Sequence, residues 1–460
     1  MKNMSLIYKA LPLLILTWLG WAASVSADEK NTADKRVEKL VGIQKQIDKT
    51  LPEVLPCIVS IGDTASGVLI KPEGVVLTSS HVTGSAGRKI MVRLHDGTQV
   101  EGITLGSNKA NDTAAIGLLD PGPYPYLKTI PRREIPRVGQ WCISLGYPLS
   151  WSRDGIASPR LGRITGHRKG KILTDCSMMG GDSGGALINL QGHLVAVNSS
   201  VRLEVTENLH VPIQRFLDDW KTMMSSRDVI RDTVKATKSA KKKSVTRRLD
   251  GNTSIKGSVL TVTHQGQQIA LATVVTQKNH VVTKHSLASE IPAGELRFKN
   301  ANFLWPGKLI GFDTTQDLAL FELVGGPDPE SESALVPVRF TVGEQVNFGK
   351  IVSCSIDEGG SGLIGLTTRP PMGPSEATAG LEDRWGGGPF SQQRSGFSDA
   401  FYHDTVLTPS HCGGPLVDLQ GRFRGINIAR VSRVSSASIS AKAVEAFLLK
   451  HLTTEQISRD

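Results

Sequence analysis

Five consecutive residues, Gly181-Asp182-Ser183-Gly184-Gly185, have the composition needed to make a serine nucleophilic. A serine hydroxyl attacks a carbonyl poorly until a base takes its proton and amide groups stabilise the oxyanion that forms. Glycines on both sides allow the tight turn that projects the hydroxyl and aims backbone N–H groups at one point. Alone, the pentapeptide reads equally well as a plain glycine turn. It gains meaning only with a histidine and an acid upstream, and both are there.

The base candidate is His81. Residues 65–83, ASGVLIKPEGVVLTSSHVT, read as a strand, a turn at Pro72-Glu73-Gly74, a second strand and a short turn carrying the histidine. A rigid strand end is a good place to hold a general base. The acid candidate is Asp112, in Asn111-Asp112-Thr113-Ala114-Ala115-Ile116, at the start of another apolar strand. A carboxylate there can accept the imidazole N–H and fix its tautomer. A lone histidine, or a lone aspartate at a strand start, would carry no such meaning. The order His81, Asp112, Ser183 is that of the chymotrypsin chain.

With these pieces in place, residues 51–223 resemble the protease domain of the HtrA/Deg family of trypsin-like serine proteases. The matching stretches are SGVLI with LTSSHV, NDTAAI, SLGYP, LTDC and GDSGGALIN. The resemblance implies His81 as base, Asp112 as its orienting acid, Ser183 as nucleophile, and the amides of Gly181 and Ser183 as the oxyanion hole. Ser177, six residues before Ser183, is not an acid, which disfavours cleavage after Lys or Arg. The family suggests small or medium apolar residues at the cleaved position, and places an aspartate where Asp175 stands without making it a pocket acid. It further implies polypeptide substrates, namely unfolded or damaged exported proteins in quality control, and allows a homo-oligomer. No cofactor is implied.

The 460 residues, 39% of them hydrophobic, suffice for two to four compact units. Lys2, an apolar run from Ala10 to Ala23 and then Ser24-Val25-Ser26-Ala27 read as a secretory signal peptide over 1–27. The run falls short of the ~20 residues that cross a bilayer, so no stable membrane span is expected after cleavage. The expected location is periplasmic or secreted. Residues 28–50 read as an amphipathic helix with Val37, Leu40, Val41, Ile43 and Ile47 on its apolar positions. The net charge of +10 gathers around Lys241-Lys242-Lys243 and Arg247-Arg248, in a segment, 224–254, without aromatic residues between its charges. That pattern reads as a solvated interdomain linker rather than a nucleic-acid grip. The five cysteines have no metal-ligand spacing and are too scattered for a disulfide framework; whether Cys142 and Cys176 bond stays open. The sequons at Asn111 and Asn198 fall where a packed active site is expected, and read as chance matches.

After the linker the pattern returns. Gly413-Gly414-Pro415-Leu416-Val417-Asp418-Leu419-Gln420-Gly421 echoes the segment from Gly184 to Gly192, and Gln316-Asp317-Leu318-Ala319-Leu320 echoes that around Asp112. Such a repeat implies a second trypsin-like domain over 255–452 in place of the PDZ domain common in the family. The expected fold class is all-β: tandem trypsin-like domains, each of two antiparallel six-stranded barrels, with a short N-terminal helix. A Gly/Pro/Ser-rich stretch, 357–400, reads as an extended loop. Cys412 takes the serine position, and with His285 and Asp317 it offers a Cys-His-Asp site. Against this, Thr283-Lys284-His285 is one residue shorter than Thr78-Ser79-Ser80-His81, and Ser410 replaces the oxyanion-hole glycine. The favoured reading is a degenerate domain serving as scaffold, platform or regulator, with His280, His403 and His411 incidental. Two rivals to a constitutive endopeptidase remain: an activator-gated enzyme, and an inert chaperone-like binding protein.

Overall fold

The computed structural model describes residues 35–149, 155–229, 248–249, 255, 257–328, 335–340, 346–359, 361–368, 387–453 and 456. The expected signal peptide and most of the basic linker lie outside these residues.

Residues 35–54 are helical, so the helix runs past the expected end at residue 50. Leu40, Ile43, Ile47, Leu51 and Val54 recur every three to four residues and are buried, so one stripe of the helix faces the core. Pro56 follows and disfavours the helical region for Leu55, and the chain tightens into a 3-10 turn at Leu55–Cys57.

Two barrels follow. The first comprises β1 (Ile58–Ile61), β2 (Ala65–Lys71), β3 (Val75–Thr78), β4 (Lys89–Arg93), β5 (Gln99–Asn108) and β6 (Thr113–Leu118), closed by pairing of β5 with β6. The second is a closed barrel of β7 (Trp141–Gly146), β8 (Ser158–Arg168), β9 (Lys171–Thr174), β10 (Ala186–Asn189), β11 (Leu194–Ser200) and β12 (Asn208–Pro212). Every residue of β7 and β10 is buried, as expected for strands between a packed interior and a neighbouring layer. The two-residue strand β13 (Asp228–Val229) adds to the edge of β5.

The second half repeats the arrangement. After β14 (Arg248–Leu249), a closed barrel contains β15 (Val259–His264), β16 (Gln267–Val274), β17 (His280–Lys284), β18 (Arg297–Lys299), β19 (Leu304–Asp313) and β20 (Leu318–Leu323). The last barrel contains β21 (Ile351–Ser355), β22 (Gly362–Thr368), β23 (Ala400–His403), β24 (Pro415–Asp418), β25 (Phe423–Ser432) and β26 (Ser435–Ser440), closed by β22 against β23. The molecule is therefore all-β with four six-stranded antiparallel barrels and few helices. The helix Ala441–His451 follows, with the Ser440 hydroxyl accepting from the Ala443 amide as its N-cap. Strand β22 corrects the expectation of a structureless loop over 357–400. Gly362 and Gly365 hid its alternation, yet Ile364 and Leu366 are buried in the core shared with the first half.

The two halves pack directly. The Asp404 carboxylate accepts from the Leu161 amide of β8 at 2.8 Å and from the Leu366 amide at 2.6 Å. Gln44 of the N-terminal helix bridges the Gly349 carbonyl (3.0 Å) and the Ile351 amide (2.6 Å).

Candidate active site

Strand β3 ends at Thr78 and pairs with β6 so that Thr78 faces Ala114. The residues beyond the two paired ends, Ser79 to His81 on one and Asp112 on the other, are thereby neighbours. Ser79 is extended, and a single helical turn, Ser80–Thr83, then turns the imidazole back toward β6. His81 Nδ1 lies 3.0 Å from Asp112 Oδ1, with the imidazole half exposed. Asp112 takes the left-handed region at φ 58°, which Asp tolerates better than most L-residues.

The Asp112 carboxylate is heavily supported. Ser80 Oγ donates to Oδ1 at 3.1 Å and Ser199 Oγ to Oδ2 at 2.5 Å, while Lys171 Nζ stands 4.0 Å from Oδ2. Lys171 also donates to Ser199 Oγ at 2.8 Å, completing a chain from ammonium to hydroxyl to carboxylate. Burial pushes the carboxyl up, but the bonds and charges of His81, Ser199 and Lys171 outweigh it and hold it below the ordinary range.

Ser183 sits on the glycine turn between β9 and β10. Gly181 has φ 96°, and a Cβ there would lie 2.3 Å from the Tyr147 carbonyl oxygen, so only glycine fits. The carbonyl of Gly180 accepts from the Leu149 amide (2.7 Å) and that of Asp182 from the Gly185 amide (3.0 Å). In a trans peptide the N–H points opposite its carbonyl, so the amides of Gly181 and Ser183 face away from those acceptors. Among the described residues neither amide has a protein acceptor. The Ser183 hydroxyl donates to the Ser199 carbonyl at 3.3 Å, while its own carbonyl accepts from the Ser66 amide at 2.9 Å.

Between the two free amides stands Asp182, and its carboxylate is buried completely. It pairs with Arg160 of β8, equally buried, and accepts from the Met179 amide at 2.9 Å. Nε and Nη1 of Arg160 have no partner, so this carboxylate holds the guanidinium. Ser177, expected near the pocket, is buried with its hydroxyl unpartnered. The Asp175 carboxylate accepts from the Arg163 amide at 2.5 Å, a structural use. Asn111 and Asn198 are buried, in keeping with chance sequons. Sequence reading missed Ser80, Ser199, Lys171 and Arg160. For the Ser199 hydroxyl a signal existed, since it sits at the end of the strand that pairs with β10.

The second copy assembles differently. Thr283 donates to the Leu271 carbonyl just as Thr78 donates to that of Ser66, which aligns the two strand ends. Counting from there, Ser286, not His285, occupies the place of His81. Ser286 Oγ donates to Asp317 Oδ2 at 2.9 Å, and its amide to Oδ1 at 2.6 Å. The His285 ring stacks on Phe312 instead, with centroids 4.6 Å apart. Lys284, fully buried, reaches Asp317 Oδ2 at 2.6 Å and the Ile428 carbonyl at 2.7 Å. Cys412 is fully buried, and its amide is consumed by the Pro409 carbonyl at 3.0 Å. Burial pushes the thiol up despite Lys284 nearby, and the thiol is the unreactive form. The residues His285, Asp317 and Cys412 are thus not brought together as a Cys-His-Asp site; the spacer shorter by one residue is the cause. Cys142 and Cys176 lie with sulfurs 3.8 Å apart and form no disulfide, and all five thiols are buried.

A family model for the trypsin-like peptidase domain matches residues 65–197. The chain is 35% identical over 144 residues to a probable periplasmic serine protease do/HhoA-like of Haemophilus influenzae, covering 30% of each. It is 28% identical over 196 residues to a putative serine protease HhoA of Synechocystis, covering 40% of this chain and 49% of the relative. Against the serine endoprotease DegS of Escherichia coli it is 32% identical over 139 residues, covering 29% and 39%. The chain therefore spans from 30% to 49% of the length of these relatives. The first barrel pair is HtrA/Deg-like and of trypsin fold, and the family match ends before the second pair begins.

Proposed function

We propose that this chain is an exported serine endopeptidase in which the first barrel pair, within residues 51–223, cleaves polypeptides through an acyl-enzyme. The reading rests on one observation above all: the His81–Asp112 pair stands by a serine turn whose Gly181 and Ser183 amides are unspent. Ser183 would rotate from the Ser199 carbonyl toward His81, which takes its proton as the hydroxyl attacks the scissile carbonyl. The oxyanion would form against the two amides, worth about 10²–10³ in rate for each such donor. His81, its ring fixed by Asp112, then protonates the leaving amine, and water clears the ester. Substrates would be unfolded or damaged exported polypeptides, in line with periplasmic relatives. Among the described residues no helix is long and apolar enough to cross a membrane. The second barrel pair, 255–452, would act without catalysis of its own. A gated variant of this reading draws support from the Ser183 hydroxyl resting on the Ser199 carbonyl rather than on His81.

The test is fluorophosphonate labelling of the purified protein with peptide mapping. Label on Ser183, lost in His81→Ala, supports the endopeptidase. A folded sample that never labels overturns the constitutive form and leaves the gated enzyme or an inert binding protein.

A further inference from the structure

The hairpin turn between β25 and β26 carries Arg433, a fully buried arginine that belongs to the second half yet spends its guanidinium on the first. Nε donates to the Met178 carbonyl at 2.7 Å. Nη2 donates to the carbonyls of Arg202 at 2.5 Å and Glu204 at 3.2 Å, and Nη1 to that of Leu203 at 3.3 Å. Nη2 also approaches Asn208 Oδ1 at 3.4 Å, and the Asn208 amide group itself bonds the carbonyls of Cys176 and Val205, both at 2.7 Å. The acceptors in these bonds are backbone and amide oxygens, and the nearby Glu204 charge adds its attraction to them.

The two segments so joined are not arbitrary. Met178 lies three residues before Gly181, on the chain that leads into the serine turn. Residues 202–204 follow β11, whose Ser199 binds both the Ser183 hydroxyl and the Asp112 carboxylate. On the endopeptidase reading, a substrate carbonyl held at Ser183 and the two amides would bring its adjoining side chain beside these two segments, and their separation would then set the width of the slot it enters. On the opposite side of the turn, Arg430 holds the Arg433 carbonyl and its amide bonds Ser391 Oγ at 3.0 Å, so the clamp is anchored within its own barrel.

Granting the endopeptidase reading, we propose that Arg433 is a positioning residue for the substrate side-chain slot of the first half, so that the second barrel pair supplies in cis part of the specificity of a site it does not contain. Its planar fork suits carbonyls diverging on two chains; a lysine, with a point charge and three donors, cannot span them in the same way.

The experiment uses the full chain with Arg433→Lys and Arg433→Met, and Gln44→Ala as a variant at another contact between the halves. Amide hydrogen exchange is read over 176–184 and 201–208, with 58–118 as internal reference. Kinetics are read on peptides differing only at the residue before the cleaved bond, and Ser183 labelling with a small fluorophosphonate is read beside them. The expected result is faster exchange in the two slot segments alone. KM should rise about tenfold with a flattened preference among peptides, while labelling changes less than about threefold. Arg433→Lys should fall between wild type and Arg433→Met, and Gln44→Ala should match wild type. Unchanged exchange and unchanged preference in a folded Arg433→Lys protein would overturn the proposal, as would an equal loss across all peptides and the small probe. Should Arg433→Met not fold, the lysine variant decides. If the wild type itself never labels, the constitutive endopeptidase reading fails while the exchange arm still decides whether Arg433 clamps the two segments.

Discussion

Replacing Asp182 by asparagine tests how the serine turn is held. The Arg160–Asp182 pair is fully buried, and the guanidinium has two nitrogens without any other partner. Asp182→Asn keeps the size and the bond from the Met179 amide but strands a buried cation, at a cost of about 3–5 kcal/mol. Against a total stability of about 5–15 kcal/mol this is a large share. Arg160→Met leaves a carboxyl that can neutralise itself by taking a proton, for a cost of about 1–3 kcal/mol. The double variant has neither charge, so its loss should fall short of the sum by about 2 kcal/mol. Urea unfolding of the four proteins reads the cycle. The same variants should slow fluorophosphonate labelling, because Asp182 lies between the two amides proposed to hold the oxyanion. Single losses that add within about 0.5 kcal/mol, or labelling that stays at the wild-type rate in a folded Asp182→Asn protein, would refute the reasoning.

Other outcomes follow from the same geometry. Gly181→Ala forces a Cβ to 2.3 Å from the Tyr147 oxygen, and labelling of Ser183 should fall by about 10²-fold or more while the second half keeps its exchange protection. His210 and His403 are buried and held neutral, with burial as the main cause and pKa values near 3, against 6.5 when unfolded. The unfolded state therefore binds protons first, and stability should decline as pH falls from 6.5, before carboxylates titrate below about 5. Urea midpoints that stay flat over that window would contradict it. Asp112 has a linkage of the same sign in a more acidic window: its depressed pKa stabilises above the ordinary carboxylate value of 3.8, and the contribution is lost as pH falls through the lower folded value. Asp112→Asn should accordingly lose stability near neutrality and show a shallower acid limb in thermal midpoints. Iodoacetamide should modify none of the five cysteines in the native protein and all of them after unfolding.

The parts of the site legible in the sequence are those written in contiguous residues. The glycine turn at Ser183, the strand end before His81 and the strand start after Asp112 each announce themselves through local periodicity and punctuation. The repeat was equally plain, since its motifs return in the same order. What stayed hidden depends on contacts between distant chain segments. Arg160 reads as one charge in a strand, and only the fold brings it to the carboxylate 22 residues away. Lys171 supports Asp112 through a pairing that no spacing reveals, and the only mark of Ser199 is its place at the end of β11. In the second copy, the shortened spacer was visible, but not that Ser286 would inherit the histidine's place or that Lys284 would turn inward. Strand β22 was missed because its glycines interrupt the apolar pattern, although Ile364 and Leu366 are buried.

The inward turn of Lys284 has an evolutionary consequence. Its ammonium and Asp317 form a cross-brace in which each neutralises the other, where the first copy keeps its carboxylate for an imidazole. Regaining a histidine at position 286 would leave Asp317 still occupied by the lysine. Losing the lysine first would strand the buried carboxylate, and freeing the Cys412 amide requires a third change at the turn. Three places, position 284, position 286 and the turn at Cys412, would thus have to change together. On the proposed reading the second copy serves as architecture, and its surfaces and its reach into the first half can change without touching the His81–Asp112 pair.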